Sequence, residues 1–206
     1  MPTPDRPLRS RDGFVALTSF ADADLQPLRE VLARSYTDPV HGWRMWNCDT
    51  ADDLVNLLAS AQTGAAGAFW LLTCGTQVAG LAGVQKYRGV RETLSTTSYL
   101  DPSVRGIGVN RTIKSLFAAA ASRARVQLVA TVALENNRSN AAMRNLLGAS
   151  VKPQTVSEGW REPEEAALLY TLPACIPDTP EIWDDEAVES CARAFRALVW
   201  PFTMAA

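Results

Sequence analysis

A glycine-containing turn between a predicted strand and a predicted helix is the part of the sequence best suited to chemistry. Asp101-Pro102 ends the strand, because proline donates no main-chain hydrogen bond and disfavours helix in the residue before it. The segment 105–110, Arg-Gly-Ile-Gly-Val-Asn, then opens a helix. Glycine permits close approach of a ligand to the main chain, a helix N-terminus favours an anion, and Arg105 adds a charge-assisted contact. We therefore predict a phosphate-binding turn.

Two other nucleotide-binding motifs do not match this turn. The segment lacks the lysine of the P-loop pattern and the glycine spacing of the dinucleotide pattern Gly-x-Gly-x-x-Gly, so ATP and NAD are poorly supported as ligands. A tight strand-to-helix turn without a ligand is the competing interpretation of a bare glycine pair. The elements around the turn are needed to separate these interpretations.

Apolar periodicity defines the elements that must position the turn. The predicted order is strand 13–20, helices from Asp22 and from Asp52, strands 69–74, 77–84 and 92–100, helix 109–124, strand 126–134, helix 139–147, strands 151–160 and 166–172, and a helix from Asp184. A mixed sheet of the α/β class, flanked by helices, is the architecture that suits this order.

Composition limits the classes of function. The 206 residues are 47% hydrophobic, and 20 basic against 22 acidic residues leave a net charge of -2, which favours one globular domain and small-molecule chemistry over nucleic-acid or anionic-membrane binding. The four scattered cysteines form no Cys-x-x-Cys pair, so neither a zinc site nor a disulfide framework is predicted. A polar N-terminus and the absence of a long apolar run predict a cytoplasmic protein.

The turn resembles the [Q/R]-x-x-G-x-[G/A] pattern with which GCN5-related N-acetyltransferases (the GNAT superfamily) hold the pyrophosphate of coenzyme A. Asn110 stands at the final small position, and Lys114 follows it by four residues, as in some relatives of the ribosomal-protein N-terminal acetyltransferases. Residues 126–149 resemble the family's buried strand, its Asn-x-x-Ser helix start and its closing Leu-Gly, with Ala149 where phenylalanine is commoner. The helix start is registered on Asn136 and Ser139, or on Asn137 and Asn140.

The resemblance implies a GNAT fold with a mostly antiparallel mixed sheet, and acetyl-CoA as co-substrate without a metal. Two neighbouring strands are expected to splay so that the pantetheine arm pairs with main-chain groups at residues 98–100. Asparagine at a strand-to-helix junction is also an ordinary N-cap. The expected cofactor-binding residues are Ser98, Leu100, Arg105, Gly106, Ile107, Gly108, Val109, Asn110, Asn136 and Asn137.

The resemblance also implies direct attack of an amine on the thioester. Glu92 is the candidate general base, and Tyr99 the candidate proton donor to the thiolate, because Arg144 stands where many members have tyrosine. Lys114 either reaches a phosphate or is a solvated surface side chain. The segment 41–46 is expected near the acceptor, with His41, Trp43 and Trp46 as substrate-binding residues.

We therefore expect a lead at residues 1–12, a GNAT acyltransferase domain at 13–172, and a C-terminal helical extension at 173–206 that packs on the domain or on a partner subunit of a homodimer. The expected activity is transfer of an acetyl group to a small-molecule or peptide amine. One alternative uses an aminoacyl-tRNA donor, the only nucleic-acid partner considered, if basic residues such as Arg11 and Arg123 cluster. Another alternative is a non-catalytic acyl-CoA-binding or interaction module.

Overall fold

The computed structural model describes residues 7–35, 48–87, 90–148, 151–158, 165–176 and 182–200. These ranges contain eight strands: β1 (Leu8–Arg9), β2 (Val15–Ser19), β3 (Gly67–Cys74), β4 (Gln77–Lys86), β5 (Thr93–Leu100), β6 (Gln127–Ala133), β7 (Gln154–Glu158) and β8 (Glu165–Leu172). They also contain five α-helices: α1 (Gln26–Ser35), α2 (Ala51–Thr63), α3 (Val109–Ala124), α4 (Asn137–Leu147) and α5 (Asp185–Val199). The order of elements from residue 13 onward is the one predicted from periodicity.

Side-chain caps fix where several helices begin. Thr50 and Asp53 form a reciprocal capping box at the start of α2, and Asp184 Oδ1 accepts a hydrogen bond from the Ala187 amide at the start of α5. Asn136 Oδ1 accepts from the Ser139 amide in the same way, so α4 begins at Asn137, two residues before the predicted start. These caps satisfy amide groups that a helix N-terminus otherwise leaves without a partner.

All the strands belong to one sheet with the order β1-β2-β3-β4-β5-β6-β8-β7. Neighbouring strands run antiparallel except for β5 and β6, which are parallel. The predicted mixed, mostly antiparallel sheet flanked by helices is thereby confirmed. The parallel pair requires a crossover, and α3 supplies it.

The helices cover both faces of the sheet and create two apolar clusters. On one face α3 and α5 pack together, with the Phe117 ring 5.4 Å from Trp70 and 5.8 Å from Phe195. On the other face α1 and α2 pack over β3 and β4. The sheet is therefore a buried middle layer, and any cavity that reaches it must open between strands or at their ends.

The described parts of both terminal regions, from residue 7 and as far as residue 200, join this framework. β1, which falls within the predicted lead, pairs with β2 through Leu8 opposite Leu17. Trp183 Nε1 donates a 2.8 Å hydrogen bond to the carbonyl oxygen of Thr112 in α3, and Phe195 of α5 is completely buried. The domain boundaries themselves stay predictions. Within the described ranges, no helix has both the length and the apolar character needed to cross a membrane.

Candidate active site

Strands β5 and β6 are paired only at their beginnings, and their divergence opens the sheet. The parallel pairing joins residues 93–95 to residues 127–129 and extends no further in the described chain. β5 nevertheless continues to Leu100, paired with β4 as far as Gly80. The edge of β5 that faces β6 is therefore open from residue 96 to residue 100, which agrees with the splayed strands implied by the resemblance.

An inner cavity of about 190 Å³ lies at this opening. Its walls come from α2, β4, β5, β6, α3 and α4, and most of the lining side chains are apolar or carry hydroxyl groups. Among the described residues that line it, Tyr99 and Lys114 are the titratable ones, and no carboxylate is present. A few polar groups in a mainly apolar cleft are typical of small-molecule sites.

An outer cavity of about 390 Å³ adjoins the inner one, because Ser98, Tyr99 and Asn110 line both. The outer cavity is bordered by the glycine turn and by Arg105, Arg111 and Arg138. Its described lining contains no Asp or Glu side chain. Three guanidinium groups on a cavity wall whose described lining has no carboxylate favour an anionic ligand.

The glycine turn adopts a conformation that glycine favours over other residues. Gly106 and Gly108 have φ angles of +83° and +94°, which side-chain-bearing residues rarely adopt. A Cβ added at either position would meet nothing within 4 Å, so the main chain faces open space. Gly108 is the N-cap of α3 and provides no side-chain cap, so the first amide groups of this helix are available to a ligand.

Arg105 is held against the end of β5. Its Nε donates a 2.7 Å hydrogen bond to the carbonyl oxygen of Leu100, and its guanidinium carbon lies 5.7 Å from the centre of the Tyr99 ring. The Leu100 carbonyl, which was expected to be open to a pantetheine amide, is therefore already bonded. Asp101 at the end of the strand caps the following short turn, because its Oδ1 accepts from the Ser103 amide.

Electrostatics keep that capping carboxylate ionised. Burial acts to raise the pKa of Asp101, but the hydrogen bonds from Ser103 and the nearby Arg34 and Arg105 charges outweigh burial and lower it. The turn consequently keeps its cap over the physiological pH range.

Asn110 connects the helix to the open strand. Its Oδ1 accepts a 3.0 Å hydrogen bond from the Ser98 hydroxyl, so the first turn of α3 is fastened to the part of β5 that faces the cavities. Replacement of the usual small residue by Asn110 thus adds a direct contact between the glycine turn and β5.

Lys114 differs from both expectations for it. It is 4% exposed, it lines the inner cavity rather than the outer one, and its Nζ donates a 2.9 Å hydrogen bond to Thr96 Oγ1. The side chain is therefore neither solvated nor directed at the glycine turn. Burial lowers the pKa of Lys114 to about 7. The spacing of Lys114 from Asn110 is visible in the sequence, but the burial of Lys114 depends on where β6 diverges from β5.

The asparagines after β6 have different environments. Asn136 lines the inner cavity as the N-cap of α4, whereas Asn137 is exposed and lines neither cavity. Asn140 is buried, its Nδ2 donating to the Ala133 carbonyl at 2.9 Å and its Oδ1 accepting from the Tyr170 hydroxyl at 3.0 Å. The registration on Asn136 and Ser139 is the one the structure adopts, and Asn140 ties α4 to β6 and β8.

The remaining predicted residues lie away from the cavities or outside the residues that the structure describes. Glu92 is exposed with a φ of +56° and precedes β5, at the end opposite the cavities, neither of which it lines. Arg144 is exposed on α4. His41, Trp43 and Trp46 lie outside the described residues. The described chain has no group of His, Cys, Asp and Glu side chains placed to hold a metal ion.

Comparison with known proteins places the fold. No protein-family model matches the sequence, and no curated protein matches it. Among solved structures, a RimL ribosomal L7/L12 alpha-N-protein acetyltransferase in complex with coenzyme A has 15% identity and a TM-score of 0.60, covering 77% of this chain and 93% of its own. The microcin C7 self-immunity acetyltransferase MccE, in complex with acetyl-CoA and AMP, has 12% identity and a TM-score of 0.61, covering 77% and 92%.

A third similar structure is that of an acetyltransferase of spermidine, a small-molecule amine. It is a spermidine N-acetyltransferase SpeG chimera from Vibrio cholerae and hSSAT, with 13% identity and a TM-score of 0.54 over 77% of this chain and 94% of its own. At these identities the comparisons concern the fold, which extends over most of each of the three proteins. The chain has the fold of the GNAT acetyltransferases.

Proposed function

We propose that this protein is an acyl-CoA-dependent N-acyltransferase that transfers an acetyl group from acetyl-CoA to a primary amine. The observation that carries the proposal is the pair of adjoining cavities, which leads from the glycine turn to the point where β5 leaves β6. An anionic group bound at the turn would thereby be connected to a mainly apolar chamber inside the sheet.

The outer cavity fits the phosphates of coenzyme A. The main chain of residues 106–110 and the N-terminus of α3 would hold the pyrophosphate, and Arg105, Arg111 and Arg138 would neutralise its charge. Glycine at 106 and 108 leaves room for the phosphate oxygens because no Cβ occupies that space. Ile107 is 60% exposed at the tip of the turn and would border the ligand.

The open edge of β5 fits the pantetheine arm. Main-chain groups around Ser98 would pair with the amides of the arm as a neighbouring strand does, and Asn136 borders the same space. Attack of the amine on the thioester turns its carbonyl oxygen into an oxyanion. A main-chain N–H on this edge would stabilise that oxyanion, a contribution of about 3 kcal/mol for one donor. The amine attacks the thioester carbon, the C–S bond breaks, and coenzyme A leaves as thiol. Tyr99 stays a candidate proton donor because it lines both cavities.

The similar solved structures support an amine as acceptor. They include acetyltransferases of a ribosomal protein and of spermidine, so the same fold serves peptide and small-molecule amines. We propose the same broad class here. The aminoacyl-tRNA alternative gains little, because Arg123, one of the basic residues considered for it, is paired with Asp185 at 2.7 Å.

Calorimetry with acetyl-CoA tests the proposal. The native chain is expected to bind with micromolar affinity, and Gly108→Trp is expected to abolish binding because its side chain fills the phosphate position. Gly75→Trp is the matched control, since Gly75 also has a positive φ, of +59°, and open space at its Cβ, but lies in the β3–β4 turn. A folded native chain that does not bind acetyl-CoA would refute the proposal.

Turnover then separates an enzyme from a binding module. Thiol release from acetyl-CoA is measured with spermidine and with peptides that have a free N-terminal amine. Release that depends on one of these amines and is lost in Gly108→Trp supports the transferase. Binding without release over the whole panel favours the non-catalytic acyl-CoA-binding module.

A further inference from the structure

Lys114 of α3 places an amino group in the buried, mainly apolar interior beside the sheet. α3 lies on the face of the sheet opposite α1 and α2, and its Lys114 side chain extends to the gap that opens between β5 and β6. Only 4% of the residue is exposed, and its Nζ has a hydrogen bond with Thr96 Oγ1 at 2.9 Å. Fully buried lysines are rare unless they are paired, so this position calls for a functional explanation.

The surroundings of Lys114 favour its neutral amine. The walls that α2, β4, β5, β6 and α4 contribute to the inner cavity contain one other titratable side chain among the described residues, Tyr99, and no carboxylate. Burial without a compensating charge lowers the pKa of Lys114 to about 7. A proton acceptor or donor works best when its pKa is close to the operating pH.

Thr96, the hydrogen-bond partner of Lys114, lies at the point on β5 where the reacting atoms are expected. The glycine turn marks the phosphate end of the path, and the arm would run back along β5 from Leu100. Thr96 lies four residues earlier, a distance of about 13 Å along a strand. The thioester end of an extended arm would therefore lie beside Thr96 and Lys114, in the inner cavity.

We propose that Lys114 is the catalytic residue that carries the proton during acyl transfer, an inference that rests on the proposed function. The neutral acceptor amine attacks the thioester carbon and its nitrogen becomes acidic as the C–N bond forms. Lys114 Nζ takes that proton. The C–S bond then breaks with its electron pair on sulfur, and the Lys114 ammonium returns the proton to the thiolate, giving the amide and coenzyme A thiol.

The other candidates for proton transfer are placed less well. Glu92 is exposed and lines neither cavity. Tyr99 lines both cavities, but its ring lies beneath the Arg105 guanidinium. A phenol is ordinarily protonated at neutral pH, so it could give a proton to the thiolate but could not accept one from the attacking amine.

Nuclear magnetic resonance of isotopically labelled lysine tests the first requirement. The chain contains only three lysines, Lys86, Lys114 and Lys152, so the Lys114 signal is assigned by its loss in Lys114→Met. In the intact protein this signal is expected to titrate with a midpoint near pH 7, and to shift when coenzyme A is added. Lys86 and Lys152 are exposed, and their signals serve as internal references for the loss of the Lys114 signal. An ordinary midpoint for Lys114 would overturn the proposal.

Kinetics test the second requirement and separate it from the proposed function. Lys114→Met is expected to lower the rate of thiol release about 100-fold or more, with acetyl-CoA affinity unchanged by calorimetry. In the native protein the rate of thiol release should fall at acid pH as Lys114 becomes protonated. This fall should disappear in Lys114→Met, and Lys114→Arg should not restore it. Lys86→Met is the matched control and should keep native turnover.

Three outcomes would overturn the role of Lys114 while leaving the proposed function intact. Lys114→Met could turn over at the native rate, it could lose acetyl-CoA affinity instead of turnover, or Tyr99→Phe could remove the fall at acid pH in its place. Failure of the native chain to bind acetyl-CoA is a different result, since it refutes the proposed function itself.

Discussion

Lys114 Nζ donates a 2.9 Å hydrogen bond to Thr96 Oγ1 across the contact between α3 and β5. Thr96 is the first residue of β5 beyond its pairing with β6, so the contact lies where the sheet begins to open. Both side chains are buried, with exposures of 4% and 6%. This contact therefore connects the helix behind the glycine turn to the start of the inner cavity, and it places an ionisable group in an apolar interior.

Lys114→Met should stabilise the protein in a pH-dependent way. The folded-state pKa of Lys114 is lowered from 10.5 to about 7, so the unfolded chain binds more protons between these values and the contribution of Lys114 to stability rises with pH. The full cost of the buried lysine applies below that window. Removing it should raise the free energy of unfolding at neutral pH by up to about 4 kcal/mol, with the gain fading towards pH 10.

Urea unfolding of the native chain and Lys114→Met at several pH values measures this difference. Lys86→Met, on the exposed end of β4, controls for the loss of a lysine and should show a small difference at every pH. Stability curves for the native chain and Lys114→Met that run parallel with pH would contradict the lowered pKa.

Asn140→Asp should destabilise the protein, because the replacement loses both amide hydrogens. Asn140 Nδ2 donates to the carbonyls of Ala133 and Leu134, so a carboxylate there would face two acceptors inside the protein. The expected loss is about 3 kcal/mol of the free energy of unfolding, measured by urea denaturation. Asn137→Asp, three residues earlier and exposed at the start of α4, should be neutral or stabilising by about 0.5 kcal/mol. Equal losses at both positions would contradict the assigned roles.

Phe195→Ala should show that α5 contributes to the stability of the rest of the protein. The ring is completely buried and lies 5.8 Å from the Phe117 ring in α3. The expected loss of unfolding free energy is about 3–5 kcal/mol, the usual range for a buried phenylalanine. Arg193→Ala on the exposed side of the same helix should change it by less than about 0.5 kcal/mol. A separate, earlier unfolding transition for α5 would contradict this coupling.

Gly80→Ala should impair both stability and acetyl-CoA binding. Gly80 has a φ of +139° and pairs with Leu100, and a Cβ there would overlap the carbonyl oxygen of Tyr99. β5 must shift at the cavity to accept the new atom. Gly13→Ala is the control, because Gly13 has a φ of +70° and open space at its Cβ. It should lose about 1 kcal/mol of stability from backbone strain and keep native affinity by calorimetry.

Local signals in the chain were enough to predict most of the fold. The two-residue period of strands, the helical period and the turn residues gave the order of elements from residue 13 onward, because they reflect which face of each element is buried. The same signals missed β1 at Leu8–Arg9, since two residues carry no period and the strand exists only through its pairing with β2. The predicted start of α4 at residue 139 is two residues late, because the first turn after the Asn136 cap, residues 137–140, is polar and carries no apolar period.

The glycine turn is also a feature that local sequence signals predict. Glycine adopts positive φ with little strain, so the pair Gly106 and Gly108 was enough to predict a turn that uses this conformation and exposes its main chain. The distance of a catalytic candidate from the cavities does not follow from such local signals. Glu92 is predicted as the general base from its place at the start of a strand, but it lies at the end of β5 that is away from the cavities.

The burial of Lys114 depends on long-range contacts and could not be predicted from its neighbours in sequence. Its spacing from Asn110 was evident in the chain, and a lysine on a helix is ordinarily solvated. It is buried because β5 and β6 separate after residues 95 and 129, segments distant in sequence that α3 packs against. Turn conformation and element order depend on neighbouring residues, whereas solvation, pKa and the walls of a cavity depend on which distant segments fold around a group.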